Sequence, residues 1–258
     1  MKVDRIKTVM LHSWYHLSHS METIIDNFWF PLISFVVFSM IASFIADDTQ
    51  IKMIVFGSIF WIAIEVSQYS VSVSALWEIW SRSFSSLFIS PLKLSEYLIG
   101  NMIMSIFKSI AIFIILSIAA FIFFKVSVLD FGLMLIVYYM LLLMFGWSAG
   151  MFTLGLVFKH GTNIQSLAWS LIFIIQPIGA VFYPLSLLPK TIQYVSRLFP
   201  VTYIFESIRQ QITTNTININ YLLIAFFLNI IFLTLSYIWL NNNRKLAKKK
   251  GTFVRLEM

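Results

Sequence analysis

Glu65 is one of the few ionisable side chains that stand inside a long apolar stretch of this 258-residue sequence. Ser58, Trp61, Gln68 and Ser72 fall at helical spacing around it, so the five side chains form one polar and aromatic stripe. The stripe predicts a helix face that contacts protein or water, because charge inside a bilayer is costly and is retained for function. The alternatives are that Glu65 makes a static hydrogen bond to a neighbouring helix or that it lies near the interface because the span begins early. The candidate pathway residues are Trp61, Glu65, Gln68 and, in a later apolar block, Gln176.

Lys108 is a second ionisable side chain inside an apolar block. The block ends at Phe124, sixteen residues later, which is roughly 24 Å at 1.5 Å per residue. At that depth the amine can extend to lipid headgroups on one side of the bilayer. Whether Lys108 contacts headgroups or has a functional role is open.

His12, His16 and His19 would share one helix face, an arrangement that a metal ion can use. No carboxylate obviously completes the site, so we predict no metal. Nor does the chain carry a phosphate-binding loop: Lys7 and Lys190 precede Thr without the upstream glycines that ATP binding requires. We therefore expect no cofactor in this chain. With 0 Cys, thiolate chemistry and disulfides are excluded.

The composition is that of a membrane protein, with 59% hydrophobic and only 11% charged residues. This excludes a soluble enzyme. Strand alternation is absent, and the apolar residues recur in blocks near the roughly 20 residues that a helix needs to cross a bilayer. The sequence thus predicts an all-α integral membrane protein with six spans: Phe28–Ala46, Ile51–Ser72, Met102–Phe124, Phe131–Val157, Ile164–Tyr183 and Tyr221–Leu240.

The positive charge of +7 lies at the chain ends and in short loops, which favours membrane topology over nucleic-acid binding. With both termini inside, twelve Lys and Arg residues face the cytoplasm and five face outward. We therefore predict a multi-pass protein of the cell inner (cytoplasmic) membrane, with both termini in the cytoplasm. The Lys248 to Lys250 cluster would contact anionic lipids.

Three segments do not fit simple spans. Residues 1–27 are predicted to hold an interfacial helix. Residues 75–96 are predicted to form an amphipathic segment whose helix breaks at Pro91. Residues 184–220 form a third segment with short helices between prolines. We treat residues 1–258 as one domain with a six-span core over 28–240 and a basic tail over 241–258. Gly146 and Gly150 form a G-x3-G pair that allows close helix packing, within one chain or between two.

Two motifs resemble those of a known family. Residues 179–189, GAVFYPLSLLP, and 199–209, FPVTYIFESIR, resemble the hallmark of ABC-2 type exporter permeases: a G-x-x-[FY]-[FY]-P turn, an L-P pair and a P-x-T-Y…E-x-[IL]-R element. Residues 76–80, LWEIW, with Ser90-Pro91-Leu92 and 96–100, EYLIG, resemble the family's loop between spans two and three. The usual Glu-Arg-Gly run before the Ser-Pro is missing.

The resemblance implies a six-span subunit that pairs with a second copy and recruits two ATP-binding cassette subunits, which bind ATP and Mg. It implies that the loop after span two is a coupling helix seated in the ATPase, with Trp77, Glu78, Trp80, Arg82, Pro91 and Glu96 as its contact residues. It also implies that short re-entrant helices after span five form an outer gate from Phe182, Tyr183, Pro184, Pro189, Pro200, Tyr203, Glu206 and Arg209.

The cargo implied by the resemblance is a drug, a lipid or a lipo-oligosaccharide, with a capsule, O-antigen or teichoic-acid polymer as the alternative. Aromatic residues do not decide this, because Phe, Trp and Tyr are normal in any membrane protein. Two other classes remain open: a membrane-embedded lipid-modifying enzyme and a non-transporting scaffold subunit.

Overall fold

A computed structural model describes residues 2–45, 47–81, 91–161 and 164–249, and over these ranges the chain is helical without a strand. The predicted all-α class is confirmed. A π-helical turn, Ile25–Trp29, joins α2 to α3. The α-helices in chain order are α1 (Val3–His19), α2 (Met21–Ile24), α3 (Phe30–Ile45), α4 (Asp48–Trp80), α5 (Leu94–Phe124), α6 (Met134–His160), α7 (Leu167–Ile178), α8 (Lys190–Ser196), α9 (Pro200–Thr214) and α10 (Ile219–Lys249).

Five helical stretches of the described chain are long and apolar enough to cross a membrane: Met21–Phe44, Asp48–Trp80, Leu94–Phe124, Met134–His160 and Ile219–Lys249. The fifth predicted span, 164–183, is instead the 12-residue helix α7. At 1.5 Å per residue α7 is about 18 Å long, less than a ~30 Å hydrocarbon layer. Pro177 in its last turn and Gly179 at its C-cap explain why it stops there.

Helix α4 forms the centre of the fold and packs against α3, α5 and α6, while α10 packs on the other side of α6. A Cβ added at Gly146 of α6 would lie 2.7 Å from the Ile64 carbonyl oxygen of α4 and would also overlap Ser67. One at Gly150 would lie 2.8 Å from the Gln68 carbonyl oxygen. The G-x3-G pair therefore brings two helices of the same chain together.

Two further predicted boundaries, at residues 27 and 75, are displaced in the structure. The segment predicted as interfacial up to residue 27 divides at Ser20, whose hydroxyl accepts a hydrogen bond from Thr23 N and caps the next helix. Residues from Met21 onward therefore continue into the first span. Only α1 remains separate, and it packs along α5, where a Cβ at Gly100 would overlap Val9.

The predicted amphipathic helix between spans two and three is also corrected over its first residues. Helix α4 continues without interruption to Trp80, so residues 75–80 extend the second span. Its 33 residues make about 50 Å of helix, and the last turns therefore extend beyond a hydrocarbon layer of ~30 Å. No proline occurs between 48 and 80 to end the helix earlier. Residues 82–90 lie outside the described residues.

Candidate functional site

A cavity of about 290 Å³ lies between α3, α4 and α7, at the point where the polar stripe of α4 faces the other two helices. Glu65 and Gln68 of the predicted pathway both line it. The wall also carries rings from α3 and α7, namely Phe30, Trp169 and Phe173. The cavity is therefore amphipathic, because carboxyl and amide groups and aromatic rings all contribute to its wall.

Three hydrogen bonds hold the pathway side chains of α4. Trp61 Nε1 donates to Glu65 Oε1 over 2.6 Å, one helical turn away. Gln68 Nε2 donates to the Ala168 carbonyl oxygen of α7 over 2.7 Å and to Ser72 Oγ over 2.9 Å. Glu65 is thus held by its own helix, whereas Gln68 joins α4 to α7.

The other two pathway candidates lie away from the cavity wall. Trp61 is buried behind Glu65, and its ring lies 6.5 Å from that of Phe205 in α9. Gln176 is half-buried near the end of α7 and does not belong to the described lining. The structure thus places only Glu65 and Gln68 of the four candidates at the cavity.

Sequence reasoning missed four polar residues of this cavity: Asp26, Asn27, Ser34 and Tyr69. Asp26 and Asn27 lie in the π-helical turn, and Asp26 Oδ2 accepts a 2.6 Å hydrogen bond from Tyr69 Oη of α4. Asn27 is buried, and its Oδ1 atom has no hydrogen-bond partner among the described residues. Tyr69 stands four residues after Glu65, so the helical spacing that defined the stripe would have found it.

In the predicted outer gate, Glu206 and Arg209 of α9 bind the turn that follows α7. Arg209 Nη2 donates to the Ala180 carbonyl oxygen over 2.8 Å and lies 3.1 Å from Glu206 Oε1. The same Glu206 oxygen accepts from Leu185 N over 2.7 Å. Burial lowers the pKa of Arg209, and the adjacent Glu206 carboxylate opposes that shift. The two side chains lock the turn onto α9.

Aromatic residues hold the rest of the turn. Tyr183 Oη donates to the Pro177 carbonyl oxygen over 2.7 Å. The Phe182 ring lies 5.1 Å from that of Phe38 in α3. A Cβ at Gly57 would lie 3.1 Å from Phe182, so this glycine lets the turn approach α4.

The remaining gate candidates start helices or lie further along α9. Pro184 precedes the short 3-10 turn Leu185–Leu187, and exposed Pro189 precedes α8. Pro200 is the buried first residue of α9, where a missing N–H costs no hydrogen bond. Tyr203 packs on Tyr221 of α10 at 5.8 Å between ring centroids.

The predicted coupling residues fall into exposed and enclosed groups. Trp80 is 41% exposed at the end of α4, stacks on Trp169 at 5.9 Å and donates from Nε1 to Gln165 Oε1 over 3.2 Å. Trp77 is half-buried, and its ring lies 5.0 Å from that of His16 in α1. Arg82 lies outside the described residues.

The other three coupling candidates contact α1 or the residue before it. Buried Glu78 pairs with His12, whose Nδ1 lies 3.1 Å from Glu78 Oε1. Glu96 is 1% exposed and accepts from Lys2 N over 3.0 Å, while Arg5 Nη1 lies 3.4 Å from its second oxygen. Arg5 also donates to the Pro91 carbonyl oxygen. Helix α1 is therefore fastened to both sides of the loop after α4.

The N-terminal histidines have separate partners. His12 pairs with Glu78, His16 Nδ1 lies 3.0 Å from Thr23 Oγ1, and His19 Nδ1 lies 3.0 Å from the Tyr15 carbonyl oxygen. Across the described ranges, His, Asp and Glu side chains form no cluster of three suited to a metal ion.

Comparison with known proteins gives one clear match. Residues 5–213 match the family model for ABC-2 type transporters. The match includes α1 through α9, and with them the α3–α4–α7 cavity and the turn held by Arg209. No curated protein matches the chain.

Proposed function

The chain belongs to the ABC-2 type transporter family, and we propose that it is the permease subunit of an ATP-binding cassette exporter that works as a dimer. It is an integral membrane protein of a transport family, and it carries no phosphate-binding loop of its own. Its energy would come from two separate ATP-binding subunits, docked on the cytoplasmic side.

The α3–α4–α7 cavity is the observation that carries this proposal. It is an amphipathic recess between two membrane-length helices and the shorter α7, and ionisable groups are kept within apolar helices where they serve a pathway. Because Ser34 and Phe173 of its wall are exposed in a single chain, a second copy can close the cavity from outside. We propose that two such recesses face each other and form the translocation route.

We propose six crossings with both termini in the cytoplasm. Helix α7 would make the fifth crossing with the turn that follows it, and α8 and α9 would form the outer re-entrant elements. This placement is supported by the burial of Ala180 and Val181 in the turn. Non-helical backbone at membrane depth is tolerated only where protein or water surrounds it.

We propose that the end of α4 transmits the motion of the ATPase. Trp80 is the exposed aromatic side chain that would contact the ATP-binding subunit. The loop is tied to α1 by contacts of Trp77, Glu78, Pro91 and Glu96. When ATP binding closes the ATP-binding subunits, α1 and the end of α4 would then move as one body. Arg82 remains a proposed contact by resemblance.

We propose an amphipathic cargo, such as a drug, a lipid or a lipo-oligosaccharide. The support is the lining of the cavity, which combines the Asp26 and Glu65 carboxyl groups with the rings of Phe30, Trp169 and Phe173. Ring faces bind apolar groups, and the few polar groups orient them.

The test begins with affinity purification of the tagged chain from its native membranes and identification of the proteins that accompany it. We expect an ATP-binding cassette protein at a 1:1 ratio. In cells that lack the endogenous chain, Glu65→Gln should then reduce rescue of the deletion phenotype, while the amide oxygen still accepts from Trp61 Nε1 and preserves the fold.

Glu22→Gln is the matched control, because Glu22 is an exposed acid on α2 outside the described cavity lining. It should rescue as wild type does. Full rescue by Glu65→Gln at normal protein levels would remove Glu65 from the pathway. A purified chain that moves cargo or modifies lipid alone in liposomes would contradict the proposed function as a whole.

A further inference from the structure

A second cavity, about 340 Å³ in volume, lies between α1, α4 and α5, and the proposed transport function does not use it. Its wall includes His12 and His16 from α1, Ser70 and Trp77 from α4, and Lys108 from α5. Sequence analysis left Lys108 without a partner and assigned the histidines no site. The structure brings these residues to one place.

Lys108 is the main charge of this cavity. Its side chain is 7% exposed, and no carboxylate of the described residues lies within 4 Å of its amine. No hydrogen bond to the amine occurs in those residues either. An ammonium group taken out of water without a partner is costly, so buried charges are normally paired. The cavity beside Lys108 is the available place for a negatively charged partner.

Three further groups in the wall are hydrogen-bond donors. Ser70 Oγ is buried and has no hydrogen-bond partner within the described part of the chain. Trp77 Nε1 and Tyr97 Oη are also buried and make no hydrogen bond of normal geometry there, although Tyr69 lies beside Trp77, and Ser74 and Asn101 lie beside Tyr97. Buried polar atoms are usually satisfied, so the unpaired Lys108 amine and Ser70 hydroxyl at one cavity indicate a missing acceptor.

The one carboxylate in the described wall, Glu78, lies next to His12, with 3.1 Å between Oε1 and Nδ1. His16 is half-buried beside them. Burial lowers the pKa of His16, and the positive charges of His12 and Lys108 lower it further, while Glu22 acts in the opposite direction. The Lys108 charge in the wall thus acts on His16, in addition to the larger effect of burial.

We propose that this cavity binds a phosphate group. One cation with several neutral donors matches the several acceptor oxygens of a phosphate. The position also fits, because the end of α4 extends beyond the hydrocarbon layer and places Trp77 at headgroup level. Either a lipid headgroup or a free phosphate compound can supply the group, and binding of either needs no ATP-binding subunit.

The experiment uses the delipidated full-length chain in detergent and three probes: dioctanoyl phosphatidylglycerol, dioctanoylglycerol and inorganic phosphate. Native mass spectrometry and thermal shift measure binding. The phosphatidylglycerol should bind and the dioctanoylglycerol, which has the same chains without phosphate, should not. If inorganic phosphate also binds, the phosphate group is sufficient and the site accepts a free phosphate compound. If inorganic phosphate does not bind, the site requires the phosphate of a lipid headgroup.

Lys108→Met should weaken phosphatidylglycerol binding about tenfold, because a charge-assisted contact is lost. Lys159→Met is the matched control, since Lys159 is an exposed lysine that lies over the Trp239 ring, outside the described wall. It should bind as wild type does. Should Lys108→Met fail to fold, Ser70→Ala replaces it, because the Ser70 hydroxyl bonds to no described residue and its loss breaks no such bond.

We expect Ser70→Ala to keep the wild-type melting temperature and to bind about threefold more weakly. Equal binding of wild type and both variants would overturn the proposal. So would equal binding of dioctanoylglycerol, or a wild-type chain that binds neither phosphate probe.

Discussion

Arg209 of α9 donates a 2.8 Å hydrogen bond to the carbonyl oxygen of Ala180, a residue with a left-handed φ of 53° in the turn after α7. The conformation is unusual for a residue with a side chain, so contacts around the turn must hold it. Glu206 adds one such contact, because one of its oxygens receives both Arg209 Nη2 and Leu185 N. A buried guanidinium thus keeps the proposed outer gate in shape.

Arg209→Met should lower the free energy of unfolding by about 1–3 kcal/mol, because the buried Ala180 carbonyl would lose its donor. The apparent melting temperature in detergent should fall by several degrees, as circular dichroism will show. Arg197→Met is the control, since Arg197 is exposed in the same outer segment. Equal melting of Arg209→Met and Arg197→Met would show that the turn does not depend on the guanidinium.

Gly146→Ala should destabilise the chain by about 1–3 kcal/mol, because its Cβ would overlap Ser67 and approach the Ile64 carbonyl oxygen. Folded yield after membrane extraction and size-exclusion chromatography measures the loss. Val137→Ile adds carbon to the same helix on an exposed face and should be neutral. Wild-type yield for Gly146→Ala, with a change only in dimer content, would place this contact between chains instead.

Glu96→Gln should loosen α1 from the rest of the molecule. A glutamine amide is neutral, so the ion pair with Arg5 is lost. It also has one acceptor oxygen instead of two, so it can keep only one of the hydrogen bonds from Lys2 N and Lys93 N. Hydrogen exchange of the Val3–His19 amides should become faster, with little change in α6. Glu22→Gln on the exposed face of α2 serves as the control. Unchanged exchange in α1 would mean that Glu96 does not fasten it.

Single-cysteine labelling tests the six proposed crossings, and the 0 native Cys residues leave no background. Leu133→Cys and Leu187→Cys should react with a membrane-impermeant maleimide in intact cells, because both exposed sites would lie outside. Ser166→Cys, before α7, should react only after permeabilisation. Labelling of position 166 in intact cells, together with 187, would show that α7 does not cross.

Several features of the fold followed from sequence patterns. The apolar blocks predicted six spans, and five helical stretches of the described chain are long and apolar enough to cross a membrane. The family motifs predicted the membership that residues 5–213 confirm. Such features are local, because hydrophobicity and helical spacing depend on neighbours in the chain.

The misplaced boundaries have one local cause and one tertiary cause. The predicted fifth span ended later than α7 does, since Pro177 and Gly179 stop the helix before the apolar residues end. Residues 75–80 looked like a separate amphipathic helix because Glu78 is charged, but that carboxylate is buried against His12. A polar residue at a span end therefore does not by itself end the span.

The sequence alone determined that this chain is a helical membrane protein and to which family it belongs, because these properties depend on composition and short motifs. Only the tertiary structure decided that Asp26 meets Tyr69, that Arg209 reaches Ala180 and that Lys108 faces Ser70. Those contacts depend on the rotation of each helix about its axis and on the angles at which the packed helices cross. Packing of many side chains sets that rotation, and no single stretch of sequence contains it.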